Sequence, residues 1–240
     1  MHVIADGLQH VETGAKSAGS LSREELLARY RHFREIGKQH HSAVIKLLTK
    51  DAILSQAKRL GLARGKTLVA GSMDELNLAF DLAIYTAPKD RTRTIDRFAR
   101  VAQLAPGSDE AVMLEAMRQA RFAVIMCKGR HPVAGLVMHD VFRNVECRLI
   151  DEGLESSFPE GAMLATRLYV LDSFVMTAGV GVPCDLELIE DAFSDTPLLH
   201  RMKAEEIIDD RRIAEALFRL ALESELMEHL TFEDSVSKRA

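Results

Sequence analysis

Between Val133 and Val182 the apolar residues of this chain recur at every second position, whereas on either side they recur with the three-and-four spacing of a helix. A strand returns a side chain to the same face after two residues and a helix after three or four, so the two patterns cannot describe one kind of element. The order is therefore helices, a small sheet, and helices again, which makes the expected fold class α+β.

In the middle stretch Leu136, Met138, Val141, Val145, Cys147 and Leu149, then Leu164, Thr166, Leu168 and Val170, then Phe174, Met176, Ala178 and Val180 mark one face. Turn signals at Arg143-Asn144, Pro159-Glu160-Gly161 and Leu171-Asp172 divide this face into four short strands, read as an antiparallel meander or open barrel over residues 133–184.

The preceding segment, 21–132, reads as helical. Ser22 with Glu25 forms a capping-box pattern, and Leu26, Tyr30, Phe33, Gly37, His40, Val44 and Leu47 then form a seam on one long helix to about Leu48. Helices over 51–60, 72–87, 90–104 and 108–127 follow, the last wholly apolar from Phe122 to Cys127. After Pro183 a short helix (185–193) and a longer one from Thr196-Pro197 to about Leu230 occupy 185–230 and are expected to pack back on the first part. Ile213 to Leu222 is apolar almost all round, interrupted by Glu215 and Arg219, so it must be covered on two sides, by its own chain or by a second copy. Residues 1–20 read as a flexible leader and 231–240 as a tail.

With 240 residues, 47% of them apolar, the chain can bury a core without disulfide or metal staples. Its three cysteines, Cys127, Cys147 and Cys184, are odd in number and lie in apolar runs, so reduced thiols and a cytoplasmic location are expected. No apolar run approaches the roughly 20 residues of a bilayer span, and no membrane association is expected. The absence of Trp, with 5% aromatics overall, argues against a surface built for stacking bases or sugars.

Charge is unevenly divided. Residues 22–104 hold 16 Lys and Arg against 9 Asp and Glu, and residues 185–240 hold 7 against 15. The basic part contains the candidate binding residues: Arg93, Arg97 and Arg100 at i, i+4 and i+7, with Lys89 and Arg91 just before them. Guanidinium groups fixed on one helical face can hold phosphates or carboxylates through paired donors. The bland reading is a solvated face opposite Ile95, Phe98 and Ala102, and a third option sets it against Glu205, Glu206, Asp209 and Asp210.

Other chemistry-bearing patterns are weak. Gly61 to Thr67 ends like a phosphate-binding loop but is one residue short, follows a helix and precedes an extended piece. A helix-turn-helix around Lys58, Arg59, Arg64 and Lys66 has too long a turn. Cys127, His131, His139 and Cys147 lack the tight ligand pairs of a zinc site, and His40 on the seam reads as a hydrogen-bonded core histidine. Asp74, Asn77 and Asp81 line one stripe of a buried helix, and His139, Asp140 and Glu146 can meet across a strand pair, but neither trio specifies a reaction. No metal, cofactor or catalytic residue is assigned.

The expectation is a non-enzymatic interaction or regulatory protein of unknown specificity. It would act as a homodimer through the N-terminal seam or the apolar C-terminal helix, with a protein or small ligand as its partner. The alternative is a nucleic-acid-associated regulator that uses Arg93, Arg97 and Arg100.

Overall fold

In the computed structural model, which describes residues 21–88, 90–197 and 202–224, the Ser22–Glu25 capping box starts the first helix. Ser22 Oγ accepts from Glu25 N, and Glu25 Oε2 accepts from Ser22 N, so two amides that lack helical partners are satisfied together. The leader, Lys89, the tail and the end of the last expected helix lie outside the described residues.

Helix α1 (Arg23–Ile45) buries Leu26, Tyr30, Phe33, Ile36, Gly37, His40 and Val44, which is the expected seam with Ile36 added and Leu47 left exposed. The seam packs within its own chain, against α4 (Thr94–Val101), α5 (Asp109–Arg118) and the barrel, in a cluster with Met113, Met117, Tyr169, Met176 and Ala178. Each fully buried Leu or Phe there contributes on the order of 2 kcal/mol. Helix α2 (Lys50–Arg59) and a two-residue hairpin, β1 (Ala63–Arg64) with β2 (Thr67–Leu68), lead into α3 (Met73–Tyr85). The phosphate-loop-like string is thus a hairpin, and Gly65 turns it at φ +61°.

The largest departure from expectation follows α5, which ends at Arg118 rather than near Cys127. Phe122–Cys127 belongs to β3 (Arg121–Arg130), the first strand of a five-stranded barrel rather than a four-stranded meander. The physical reason is that this strand is covered on both faces. Ala123, Ile125 and Cys127 point into the barrel, while Phe122 and Val124 pack outward against Leu217 and Phe218, so every position is apolar and the twofold signal vanishes.

The other strands are β4 (Leu136–Asp140), β5 (Val145–Leu149), β6 (Met163–Val170) and β7 (Val175–Cys184), with α6 (Glu152–Ser157) between β5 and β6. The barrel closes in the order β3-β4-β5-β7-β6, with β6 paired to β3. Neighbours are antiparallel except β5 and β7, which run parallel and meet in register at Leu149 and Val175. This order, with a helix between the third and fourth strands, is the topology of OB-type Greek-key barrels. The barrel is filled by side chains, including Leu136, Met138, Leu149, Leu164 and Leu168, with Leu154 of α6 packed among them. At Gly135 (φ +80°) the chain passes so close to the Leu149 carbonyl that no Cβ fits.

Helices α7 (Leu186–Ser194), α8 (Ala204–Asp209) and α9 (Arg211–Glu223) pack back on the first part, but the single long helix expected from Thr196 is divided at Asp210, whose backbone is extended and whose side chain caps α9. The apolar girdle of α9 is covered within the chain: Ile213, Ala214, Leu217, Phe218 and Ala221 join one cluster with Leu78 and Leu82 of α3, Leu188 of α7 and Val182 of β7. Both surfaces expected to join two copies, the α1 seam and α9, are therefore occupied inside one chain.

Candidate anion-binding cleft

Where the helical part, the barrel and the C-terminal helices meet, a cleft of about 840 Å³ opens, and among the described residues seven of the eighteen that line it are arginines. Arg91 and Arg93 come from the connection after Pro88, Arg118 from the end of α5, and Arg121 from the first residue of β3. Arg167 comes from β6, and Arg211 and Arg212 come from the start of α9.

At its floor Arg167 donates to Asp81 twice, Nε to Oδ1 at 2.9 Å and Nη2 to Oδ2 at 2.8 Å, and both side chains are buried. The guanidinium lies 4.7 Å from the Tyr85 ring centroid and 5.8 Å from that of Phe122. Burial opposes the charge on Arg167, but the adjacent Asp81 carboxylate outweighs it, so the guanidinium is held above its ordinary pKa. Behind it Tyr85, Tyr169 and His41 close a triangle of hydroxyls and imidazole: 2.6 Å between the hydroxyls, and 2.8 and 3.0 Å from them to His41 Nε2. Burial pushes both tyrosines up and pushes His41 down to about 4, so the imidazole is neutral and available as an acceptor at neutral pH.

The rim arginines divide by their partners. Arg93 pairs with Asp96 at 2.7 Å and donates to the Arg118 carbonyl, and Arg118 pairs with Glu115 at 2.7 Å and more loosely with Asp96. Burial raises Asp96, but its hydrogen bonds and charge contacts with Arg93 and Arg118 more than offset this and hold it below the usual carboxylate range. Arg212 is bound through two donors by Asp210, whose pKa that contact lowers, and Asp209 is held at 2.6 Å by Arg143. Among the described residues Arg91 and Arg121 have no ion pair, and Arg211 reaches Glu215 only at 3.9 Å. The Nε of Arg121 is buried without a hydrogen-bond partner.

The arginines expected to share one helical face are not brought together. Because α4 starts at Thr94, Arg93 is its N-cap residue and turns into the cleft. Arg97 is exposed, with Nη2 donating to Thr94 Oγ1, and Arg100 is exposed; neither lines the cleft. Arg91 does line it, and Lys89 lies outside the described residues. Of the acidic residues expected to face this region, Asp209 and Asp210 reach the same cleft but pair with Arg143 and Arg212, Glu206 does not line it, and the Glu205 side chain lies outside the described residues. The residues missed by sequence reasoning are Arg118, Arg121, Arg167, Arg211 and Arg212. One visible signal was the Arg211-Arg212 pair, which interrupts an otherwise acidic segment, and another was Arg167, a charge within an apolar strand.

His139 and Glu146 face each other in register, as the alternation implied, and Asp140 is buried against Arg143. Among the described residues no group of three His, Cys, Asp or Glu side chains is placed to hold a metal ion. No described helix is long and apolar enough to cross a membrane.

The sequence profile of a family of unknown function (DUF7986) matches residues 24–208, from α1 through nearly all of α8, and so includes five of the seven cleft arginines but not Arg211 or Arg212. No curated protein and no solved structure matches the chain.

Proposed function

We propose that this chain, which belongs to the DUF7986 family, is a non-enzymatic binding protein that holds a small polyanion in the arginine-lined cleft. The observation that carries the reading is that seven arginines, from elements far apart in sequence, line one concave site among the described residues. Like charges gathered in a cleft repel one another, and a bound anion removes that repulsion while accepting charge-assisted hydrogen bonds. Arginine holds its charge at every physiological pH, so the cleft offers standing positive charge to an anion.

The nucleic-acid alternative draws less support. Its face on α4 is reduced to Arg97 and Arg100, since Arg93 donates to Asp96 and the Arg118 carbonyl. The test is a thermal-shift titration with pyrophosphate and with citrate, repeated on Arg91→Gln and on Arg100→Gln. At least one anion is expected to raise Tm, with the effect reduced in Arg91→Gln and kept in Arg100→Gln. Equal responses in the two variants would remove the cleft from the explanation.

A further inference from the structure

We propose that helix α2 and the β1–β2 hairpin form a contact surface for the sugar-phosphate backbone of a double-stranded nucleic acid. Between Lys46 and Met73 the chain carries six Lys and Arg and a single acid, Asp51. Arg59 is held by Glu215 at 2.8 Å. The other five, Lys46, Lys50, Lys58, Arg64 and Lys66, are exposed, and among the described residues none of them is in an ion pair. None of them lines the cleft, so this surface is independent of the site described above.

The fold gives these charges a fixed layout. The chain turns from α1 into α2 within residues 46–49, where Leu47 and Leu48 N donate to the Val44 and Ile45 carbonyls and Thr49 Oγ1 caps α2. Lys46 and Lys50 thus stand beside the N-terminus of α2, whose free amides add positive potential, and Lys58 stands in its last turn. Leu62 N donates to the Ala57 carbonyl at 2.7 Å and Val69 N to the Leu62 carbonyl at 2.9 Å, so the hairpin is closed at its base and fastened to α2. Arg64 pairs with Thr67 across a turn at Gly65, and every residue from Arg64 to Val69 is exposed. The segment that is too long for the turn of a helix-turn-helix is therefore a basic-tipped projection.

The layout selects the ligand. The five cations are spread along α2, about 15 Å at about 1.5 Å per residue, and on to the hairpin tip, rather than gathered in a concavity. A small anion meets one or two of them, whereas a duplex presents a charge for about every 1.7 Å of its axis. Among the described residues no aromatic ring is exposed, so the surface has no platform for the unstacked bases of a single strand. The tip, Arg64 to Thr67, is polar or glycine, and the exposed apolar pair Leu68 and Val69 lies where the hairpin returns to α2. Charge leads from this surface rather than the apolar wedge that a lipid interface takes up. Contacts of this kind fix position on the backbone and do not read bases.

Fluorescence anisotropy of the full chain tests this with five probes: a DNA duplex, an RNA duplex, a single strand of the same length, vesicles containing phosphatidylserine, and poly-glutamate as competitor. A duplex is expected to bind tightest, equally for scrambled sequences, with log affinity falling against log salt at a slope of about −4. The tighter of the two duplexes assigns DNA or RNA. The double variant Arg64→Gln with Lys66→Gln should weaken binding by about tenfold or more and make the slope shallower by about 2. Should that variant fail to fold, Lys50→Gln with Lys58→Gln gives the same readout. Arg91→Gln in the cleft and Arg100→Gln on α4 should leave duplex binding unchanged. A loss in either of these that equals the loss at the hairpin would overturn the assignment and move the contact to the cleft or to α4. The single strand, the vesicles or poly-glutamate binding as tightly as the duplex would overturn it in favour of that ligand. Binding of no duplex at low salt, or duplex binding indifferent to both double variants, would overturn it outright and leave the cleft reading untouched.

Discussion

Removing the carboxylate of Asp81 should cost the protein about 3–5 kcal/mol, because it strands a guanidinium in the interior. The figure is reached from the structure by two routes. Arg167 and Asp81 have side chains only 6% and 1% exposed, so the charge left behind cannot be rescued by water without opening the core. Counted as bonds, two charge-assisted contacts of 2.9 and 2.8 Å are lost, at roughly 1.5–3 kcal/mol each, which gives a similar total. Against a total stability of about 5–15 kcal/mol for a folded protein, Asp81→Ala is then a major lesion. With a urea m-value of about 2–3 kcal/mol/M, the far-UV circular dichroism midpoint should fall by about 1–2 M. The double variant Asp81→Leu with Arg167→Met removes both charges and keeps volume, so it should recover most of the loss, since an apolar pair of similar size is often as stable as the ion pair. An Asp81→Ala stability within about 1 kcal/mol of the parent, or a double variant as unstable as the sum of the singles, would show that the pair is not the buried, mutually dependent unit described.

Four further outcomes are expected. His41 is held at about 4, below the roughly 6.5 of the unfolded chain, so the unfolded state takes up its proton first on acidification. Its contribution is complete above about pH 6.5 and is lost on descending to pH 4, on the order of 3 kcal/mol, and His41→Gln should flatten that part of a stability-pH profile. Gly135→Ala should lower stability by about 3 kcal/mol or more in a thermal melt, because φ is +80° and the new Cβ runs into the Leu149 carbonyl. Burial pushes Cys147 up to about 11 and Cys184 up to about 12, so both should resist iodoacetamide at pH 8 until denaturant is added, as mass spectrometry would show. Without ligand, Arg91→Gln should melt no lower than the parent and somewhat higher at low salt, since it relieves repulsion at the cleft; a clear drop would mean that Arg91 has a structural partner.

The N-terminal helices were legible because each carries its own start signal and one apolar stripe. Ser22, Ser72 and Ser108 each accept from the amide three residues on, at the first turn of its helix. The strands facing solvent or a single helix layer were legible from alternation, with β4 and β5 in the expected register of His139 with Glu146. Strand β3 was not, because burial on both faces makes Phe122–Cys127 indistinguishable from the end of a buried helix. The cleft was legible only at Arg91 and Arg93. Its other arginines are single charges on β3, β6 and α5 and the Arg211-Arg212 pair on α9, and what unites them is the folding back of the C-terminal helices, a contact that no local pattern encodes.

The barrel is fastened unevenly. Every antiparallel seam runs over five or more paired residues, whereas β5 meets β7 at Leu149 and Val175 alone, with one adjoining bond from Ile150 N to the Val175 carbonyl. That seam is where the cylinder should unzip, so amides of 145–148 should exchange with solvent sooner than those of β3 or β6. An unzipped β5 would bare a sheet edge to other molecules, but it is only five residues long and has Glu146 and Arg148 along it, both features that discourage strand-to-strand recruitment. The weakest seam of the barrel is thus also the one least suited to seed aggregation.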